Sequence, residues 1–260
     1  HAVIMEGWFD DGTNSNLKIN PINRFYKPWF FKHVETFLQK GQSRELLRFK
    51  DYIFRHNRSI FWTLQDMIPI GNHPFVRSVI GFMYPPNISF LKFSTTKGIR
   101  KLTFTKQVYQ DIILPLSSLS KAVDLSHKLF EIYPLLVYPC RIYDHGSENG
   151  QLRVPRPQDR VPGTNYGMYC DFGIYGVPQS VKENRHYSAT SSMRTIEKFI
   201  RDEGGYSFLY ADTFLNKDEF NEMFALELYK KVYKKYGFEG AFPHLFQKTR
   251  PELDVATLGQ

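Results

Sequence analysis

The chain has 260 residues, of which 42% are hydrophobic and 16% aromatic, and a formal net charge of +8. That size suits one large domain or two small ones, and the 23 Phe and 16 Tyr favour a packed, aromatic-lined interior over disorder. The positive charge suits an anionic partner: a membrane face, a phosphate-bearing cofactor or nucleic acid.

Residues 2–9 read as a strand already in progress, and since His1 is not a natural start the chain reads as a fragment. Residues 10–23 are rich in Asp, Gly, Asn and Ser and read as a loop. Pro28 opens a helix running to Lys40, with Gly41 just past its end. Residues 48–54 alternate basic and aromatic side chains, the period of a strand. Helical segments are expected over 59–67, stopped by Pro69, and over 74–82, after which Pro85-Pro86 forces an extended stretch. The longest apolar region, 59–93, is interrupted by those prolines, so it falls short of the ~20 apolar residues that span a bilayer.

A strand over 107–114 ends at Pro115. Ser117 or Ser118 then caps a helix with Leu119, Ala122, Val123, Leu129 and Phe130 on its buried side. Residues 133–143 form an apolar strand whose Pro134 and Pro139 place it at an edge or a bulge. A Gly-, Pro- and charge-rich loop covers 144–163, followed by a strand over 166–174. A helix over 189–202 stops at Gly204-Gly205, and a strand follows over 206–210. Asn216 and Glu219 have capping-box spacing, and the last helices end near Gly237. Lys230, Lys231, Lys234 and Lys235 read as a solvated helix face. This order implies an α+β fold, an antiparallel sheet covered by helices, with a distinct segment after Tyr206. Cys140 and Cys170 show neither a disulfide framework nor metal-ligand spacing, and are expected to be reduced.

The most informative run is Arg58-Ser59-Ile60-Phe61-Trp62-Thr63-Leu64-Gln65-Asp66-Met67-Ile68-Pro69-Ile70-Gly71-Asn72. It is too polar for a core helix and too apolar for a surface one, which suggests a cavity wall with a few placed polar groups. Together with Tyr26-Lys27-Pro28-Trp29-Phe30-Phe31-Lys32-His33-Val34-Glu35, it resembles the delta(24)-sterol reductases, the Diminuto/seladin group of FAD-linked enzymes. Matching stretches follow in the same order: Val108-Tyr109-Gln110-Asp111-Ile112-Ile113-Leu114-Pro115, Ser192-Met193-Arg194-Thr195-Ile196-Glu197-Lys198-Phe199, Leu209-Tyr210-Ala211-Asp212 with Glu219-Phe220 and Met223-Phe224, and Gly240-Ala241-Phe242-Pro243. The resemblance covers roughly the C-terminal half of such an enzyme. The loop over 144–163, with Arg153, Arg156 and Arg160, and the tail after Thr249 depart from it.

The sequence contains no Gly-x-Gly-x-x-Gly turn, no Walker A loop, no Gly-x-Ser-x-Gly elbow and no zinc-spaced histidines, so no metal site is expected. An enzymatic reading therefore rests on the resemblance. That resemblance implies reduction of a sterol side-chain double bond, with NADPH reducing FAD and the flavin N5 delivering hydride. It implies the cap domain of a vanillyl-alcohol-oxidase-type flavoenzyme over 1–205 and a C-terminal segment over 206–260 that packs on the FAD domain. FAD would be bound mainly by the absent N-terminal half, which would also supply membrane association at the cytosolic side of the endoplasmic reticulum. Tyr210 and His56 are candidate proton donors, and Phe61, Trp62, Leu64, Met67 and Ile68 candidate walls of a sterol slot. Arg58, Asp212 and Lys248 are candidate cofactor contacts, although Arg58 also suits an internal ion pair with Asp66. The competing readings are another FAD-linked dehydrogenase or oxidase on the same scaffold, and a non-catalytic sterol-binding or membrane-scaffolding protein. Nucleic-acid binding is not expected, because no recognised module combines the aromatics with the basic residues.

Overall fold

The computed structural model describes residues 1–11, 16–83, 96–146, 148–238 and 240–250, and divides the chain into two compact units, His1–Thr96 and Lys97–Gln260. The expected extended stretch at Pro85-Pro86 lies outside the described residues.

The first unit is built from short helices: α1 (Phe30–Glu35), α2 (Phe37–Lys40), α3 (Phe49–Ile53), α4 (Thr63–Met67) and α5 (Pro74–Ile80). The helix expected from Pro28 to Lys40 is present in two pieces that break at Thr36, and Gly41 ends it with a φ of 71° that favours glycine. Three expectations fail here. Residues 2–9 are not a strand, and without a ladder partner their apolar side chains are left outside: Ile4 and Phe9 are each 87% exposed. The alternating 48–54 segment is helix α3, and just past its end the Arg55 guanidinium sits 4.0 Å from the centre of the Tyr52 ring, three residues back. The 59–67 helix begins only at Thr63, because Ile60 and Phe61 take left-handed backbone angles (φ 46° and 59°). For a β-branched residue such as Ile60 that conformation is strained.

The Pro69-Ile70-Gly71-Asn72 punctuation has a packing reason. The Trp29 ring lies so close to Gly71 that a β-carbon there would sit 2.7 Å from it. Asn72 Oδ1 accepts the Trp29 backbone N–H at 2.9 Å, which fixes the start of α1.

The second unit holds the sheet. Its elements are α6 (Lys97–Lys106), β1 (Val108–Pro115), α7 (Leu119–Leu129), β2 (Leu136–Tyr143), β3 (Tyr166–Gly176), α8 (Gln179–Lys182), α9 (Ala189–Asp202), β4 (Tyr206–Ser207), α10 (Lys217–Met223), α11 (Glu227–Lys235) and α12 (Leu245–Lys248). The strands pair antiparallel in the order β2-β3-β1-β4, which bears out the α+β reading. Both prolines of the 133–143 segment fall on or beside β2, an edge strand, as the missing N–H groups require. The strand expected over 206–210 survives only as Tyr206–Ser207. Helix α6 was not expected.

Ala122, Phe130, Met193, Ile196 and Ile200 from the helices join Ile112, Leu114, Phe172 and Ile174 from the sheet in one buried core. Ser118 is the residue before α7, but its hydroxyl donates to Glu203 at 2.6 Å rather than capping the helix. Asn216 and Glu219 form the expected reciprocal capping box at α10. The lysines of α11 lie on a solvated face, where Lys231 pairs with Glu148. Arg153, Arg156 and Arg160 pin the 144–163 loop through the carbonyls of Asn221, Asp202 and Pro155, with Asp159 and Asp144 as carboxylate partners. Cys140 and Cys170 are both free thiols. Cys140 lies opposite Tyr169, so it and the next residue, Cys170, face opposite sides of the sheet and cannot be bridged.

Candidate functional site: a carboxylate between two tyrosines

Residues directly opposite one another on paired strands share a sheet face. Tyr109 opposes Tyr175, Asp111 opposes Gly173, Ile113 opposes Asp171, and Tyr138 opposes Asp171 in turn. Among the described residues, one face of the sheet therefore carries two carboxylates and five tyrosines: Tyr109, Tyr138, Tyr169, Tyr175 and Tyr206. Asp111 is its hub. Its Oδ1 accepts the Tyr175 hydroxyl and its Oδ2 the Tyr210 hydroxyl. Tyr109 is held separately, donating to Gln107 Oε1 at 2.8 Å.

Gly173 makes room for this arrangement. A β-carbon there would lie 2.7 Å from Asp111 Oδ1 and 2.8 Å from the Tyr175 ring. Asp111 and Tyr175 are buried, whereas Tyr210 is 65% exposed. The hydroxyl of Tyr210 thus links solvent-facing surface to a buried acid. Burial raises the Asp111 carboxyl above the usual carboxylate range, opposed in part by the Tyr175 hydrogen bond. Burial and the neighbouring Asp111 charge push Asp171 up to about 6. Tyr175 is driven well above its ordinary value, by burial and then by its bond to Asp111, so it stays a neutral donor.

Tyr210 is the expected site residue that the hub absorbs. Asp212 follows it, half-buried, and Lys248 is exposed at the end of α12. The Thr213 N–H donates to the Thr249 carbonyl at 2.8 Å, which brings those two positions onto neighbouring segments. Asp111, Asp171 and Tyr175 were not singled out from the sequence as site residues. An aspartate alternating with apolar residues inside a strand was the available signal.

The remaining expected residues lie in the first unit. The His56 ring stacks on Phe61 at 4.9 Å and meets the Phe30 ring edge-on at 5.2 Å. Neither ring nitrogen has a hydrogen-bond partner among the described residues. Burial, and then the Arg55 charge, lower its pKa to about 4, which leaves the imidazole neutral at pH 7. A neutral imidazole is a far weaker acid than an imidazolium, so this environment does not favour His56 as a donor. Trp62 and Leu64 are buried, Phe61 and Ile68 half-buried, and Met67 is 62% exposed.

Arg58 is buried and gives both terminal nitrogens to backbone carbonyls. Nη1 donates to Arg24 at 2.6 Å and to Ile22 at 3.4 Å, and Nη2 to Phe25 at 2.7 Å and Lys27 at 3.0 Å. Burial, and then Arg77, lower its pKa to about 10, so it remains charged. The guanidinium closes the 22–27 segment instead of offering its fork to an outside anion.

Among the described residues, no group of His, Cys, Asp and Glu could hold a metal ion, and no helix is long and apolar enough to cross a membrane. No family model matches the chain. No solved structure matches it either. The chain is 39% identical over 248 residues to the delta(24)-sterol reductase of Rattus norvegicus, covering 95% of this chain and 45% of that protein. It is 36% identical over 249 residues to a delta(24)-sterol reductase homolog of Caenorhabditis elegans, with the same coverage. To the delta(24)-sterol reductase of Arabidopsis thaliana it is 30% identical over 257 residues, or 96% of this chain and 46% of that protein. Along nearly all of its own length, then, the chain is homologous to the delta(24)-sterol reductases, and it spans about 45% of the length of those relatives.

Proposed function

We propose that this chain forms the substrate-facing part of a delta(24)-sterol reductase, and that Tyr210, backed by Asp111, supplies the proton added to the sterol side-chain double bond. The observation that supports this most directly is the Tyr210–Asp111–Tyr175 hydrogen-bonded hub. It lies in a chain whose relatives carry that enzyme's name. In this reading residues 1–205 belong to the cap of a vanillyl-alcohol-oxidase-type flavoenzyme, and the segment over 206–260 packs on its FAD domain. The whole enzyme sits at the cytosolic face of the endoplasmic reticulum membrane.

The described residues suit a supporting role toward FAD more than a holding one. Arg58 is committed to four carbonyls, which leaves Asp212 and Lys248 as the candidates on this chain to approach the cofactor. FAD would be held mainly by polypeptide outside this chain. When bound, and reduced by NADPH, it would supply a hydride from N5 to one carbon of the double bond.

The chain's own residues account for the proton. If Tyr210 released its proton beside an ionised Asp111, two anions would face each other in a partly buried site. A protonated Asp111 avoids this. With Asp111 protonated, its bond to Tyr210 runs the other way: Oδ2–H donates to the phenol oxygen, and the freed phenolic proton moves to the second olefinic carbon, so tyrosine ends neutral and Asp111 ends as the carboxylate. Solvent then reprotonates Asp111. Phe61, Met67 and Ile68 keep apolar surface to offer a sterol, whereas Trp62 and Leu64 are largely taken up by packing.

The test is to purify the whole protein with FAD, supply NADPH and a desmosterol-type sterol in D2O, and analyse the product by mass spectrometry. The expected product gains one solvent-derived deuterium on the side chain. An FAD-loaded protein that leaves the double bond intact removes this reading. Rapid reaction of its reduced flavin with oxygen would indicate an oxidase instead.

A further inference from the structure

Asp171 occupies a distinctive position on the same sheet face. Asp111 opposes Gly173 and Ile113 opposes Asp171, so the two carboxylates are diagonal neighbours on β1 and β3. Side chains so related lie roughly 7–8 Å apart. Gly173, opposite Asp111, leaves room for the Asp111 carboxylate, and the other corner of that diagonal is the apolar Ile113. Asp171 Oδ1 is buried and has no hydrogen-bond partner among the described residues. The groups that face Asp171 are Asp111 from β1, Tyr138 and Cys140 from β2, Tyr169 and Tyr175 from its own strand, and Tyr206 from β4. None of these is a cation.

We propose that Asp171 is a positioning residue for the Asp111–Tyr210 pair: the two carboxylates, diagonal to one another beside Gly173, keep one proton between them within reach of Tyr210. Asp171 reaches no substrate in this role. It acts through Asp111. Two carboxylates this close on a partly buried face do not both ionise readily, so whichever ionises first raises the proton affinity of the other. The site thereby holds its transferable proton to a higher pH than an isolated aspartate would. The inference rests on the reading of Tyr210 and Asp111 as the donating pair.

The experiment is the pH profile of sterol reduction by the whole enzyme with NADPH. It compares the wild type with Asp171→Asn, Asp171→Glu, Tyr210→Phe and Asp111→Asn, each checked for flavin content and melting temperature. A reaction that needs protonated Asp111 falls off at alkaline pH. Removing the Asp171 charge lets Asp111 lose its proton sooner. In Asp171→Asn the alkaline limb therefore moves down by about one pH unit while the low-pH plateau is kept. Asp171→Glu restores the limb toward wild type. If Asn is not tolerated at this position, Asp171→Ser, also neutral, is expected to give the same shift. An unmoved limb in a folded neutral variant, with Tyr210→Phe inactive, overturns the role of Asp171 alone. Full turnover by Tyr210→Phe overturns the donating pair itself.

Discussion

The two units satisfy their polar groups in opposite ways. In the first, much of the described backbone lies outside helices, and a buried cation is committed to it: Arg58 closes four carbonyls of residues 22–27. In the second, the ladders of β1, β2 and β3 satisfy the backbone, so a buried acid, Asp111, is left to meet side chains. Their apolar residues differ in the same sense. The buried hydrophobics of the first unit, among the described residues, are Ile22, Trp29, Phe30, Phe31, Trp62 and Leu64, while Phe75, Phe82, Met83 and Ile70 lie exposed. The second unit buries both sheet and helix residues in one cluster. A regular sheet releases polar side chains for chemistry, and an irregular fold uses them to hold itself together.

The sharpest way to break this contrast is to compare the two candidate donors. Tyr210→Phe is expected to lower sterol turnover by about 10²–10⁴-fold with no change in melting temperature, whereas His56→Gln lowers it by less than about tenfold. The reverse order would move the proton donor to the first unit. For stability, Phe172→Ala is expected to cost about 3–5 kcal/mol in denaturant titration, because that ring is fully buried in the sheet core. Phe75→Ala, at a position 71% exposed, is expected to change stability by less than about 0.5 kcal/mol.

A pH effect distinguishes the second unit further. Glu197 is buried on α9 and accepts the Phe214 backbone N–H at 2.8 Å, and burial raises its pKa from 4.5 to about 8. The folded state therefore binds the proton more tightly than the unfolded state does. Stability contributed by this group is present in full below about pH 4.5 and is lost as pH rises toward about 8. The loss is on the order of 4 kcal/mol, and Glu197→Gln, which keeps the acceptor oxygen, should flatten that dependence in chemical denaturation across pH 5–8.

In the first unit, Arg58→Met is expected to cost about 3 kcal/mol because four carbonyls lose a charged donor. Arg58→Lys should recover only part of this, since an ammonium lacks the planar fork. The smallest effect is expected at α10, where Asn216→Ala removes one half of the capping box and costs about 1 kcal/mol by thermal melting.

Local signals suffice where a single element decides them. The Asn216–Glu219 box, the 189–202 helix before Gly204-Gly205 and the proline-bearing edge strand all follow from residues close in sequence. The same reasoning failed at 48–54, where a period of two hid a helix, and at 2–9, where apolar residues had no strand to pair with. Ile60 and Phe61 look like good helix formers in sequence, and nothing local announces their left-handed backbone. Arg58 was expected to meet an acid or an anion, because its true partners, backbone carbonyls, leave no mark on a sequence.

From residue types alone came the α+β class, the places of β1, β3 and α9, the likeness to the sterol reductases and the interest of Tyr210. These depend on capping, periodicity, proline and glycine, which act over a few neighbouring residues. Only folding showed that Tyr210 rests on Asp111, 99 residues away, and that Tyr175, 64 residues from Asp111, completes the hub. Strand register joins such distant positions, and a shift of one residue would turn Asp111 to the opposite face.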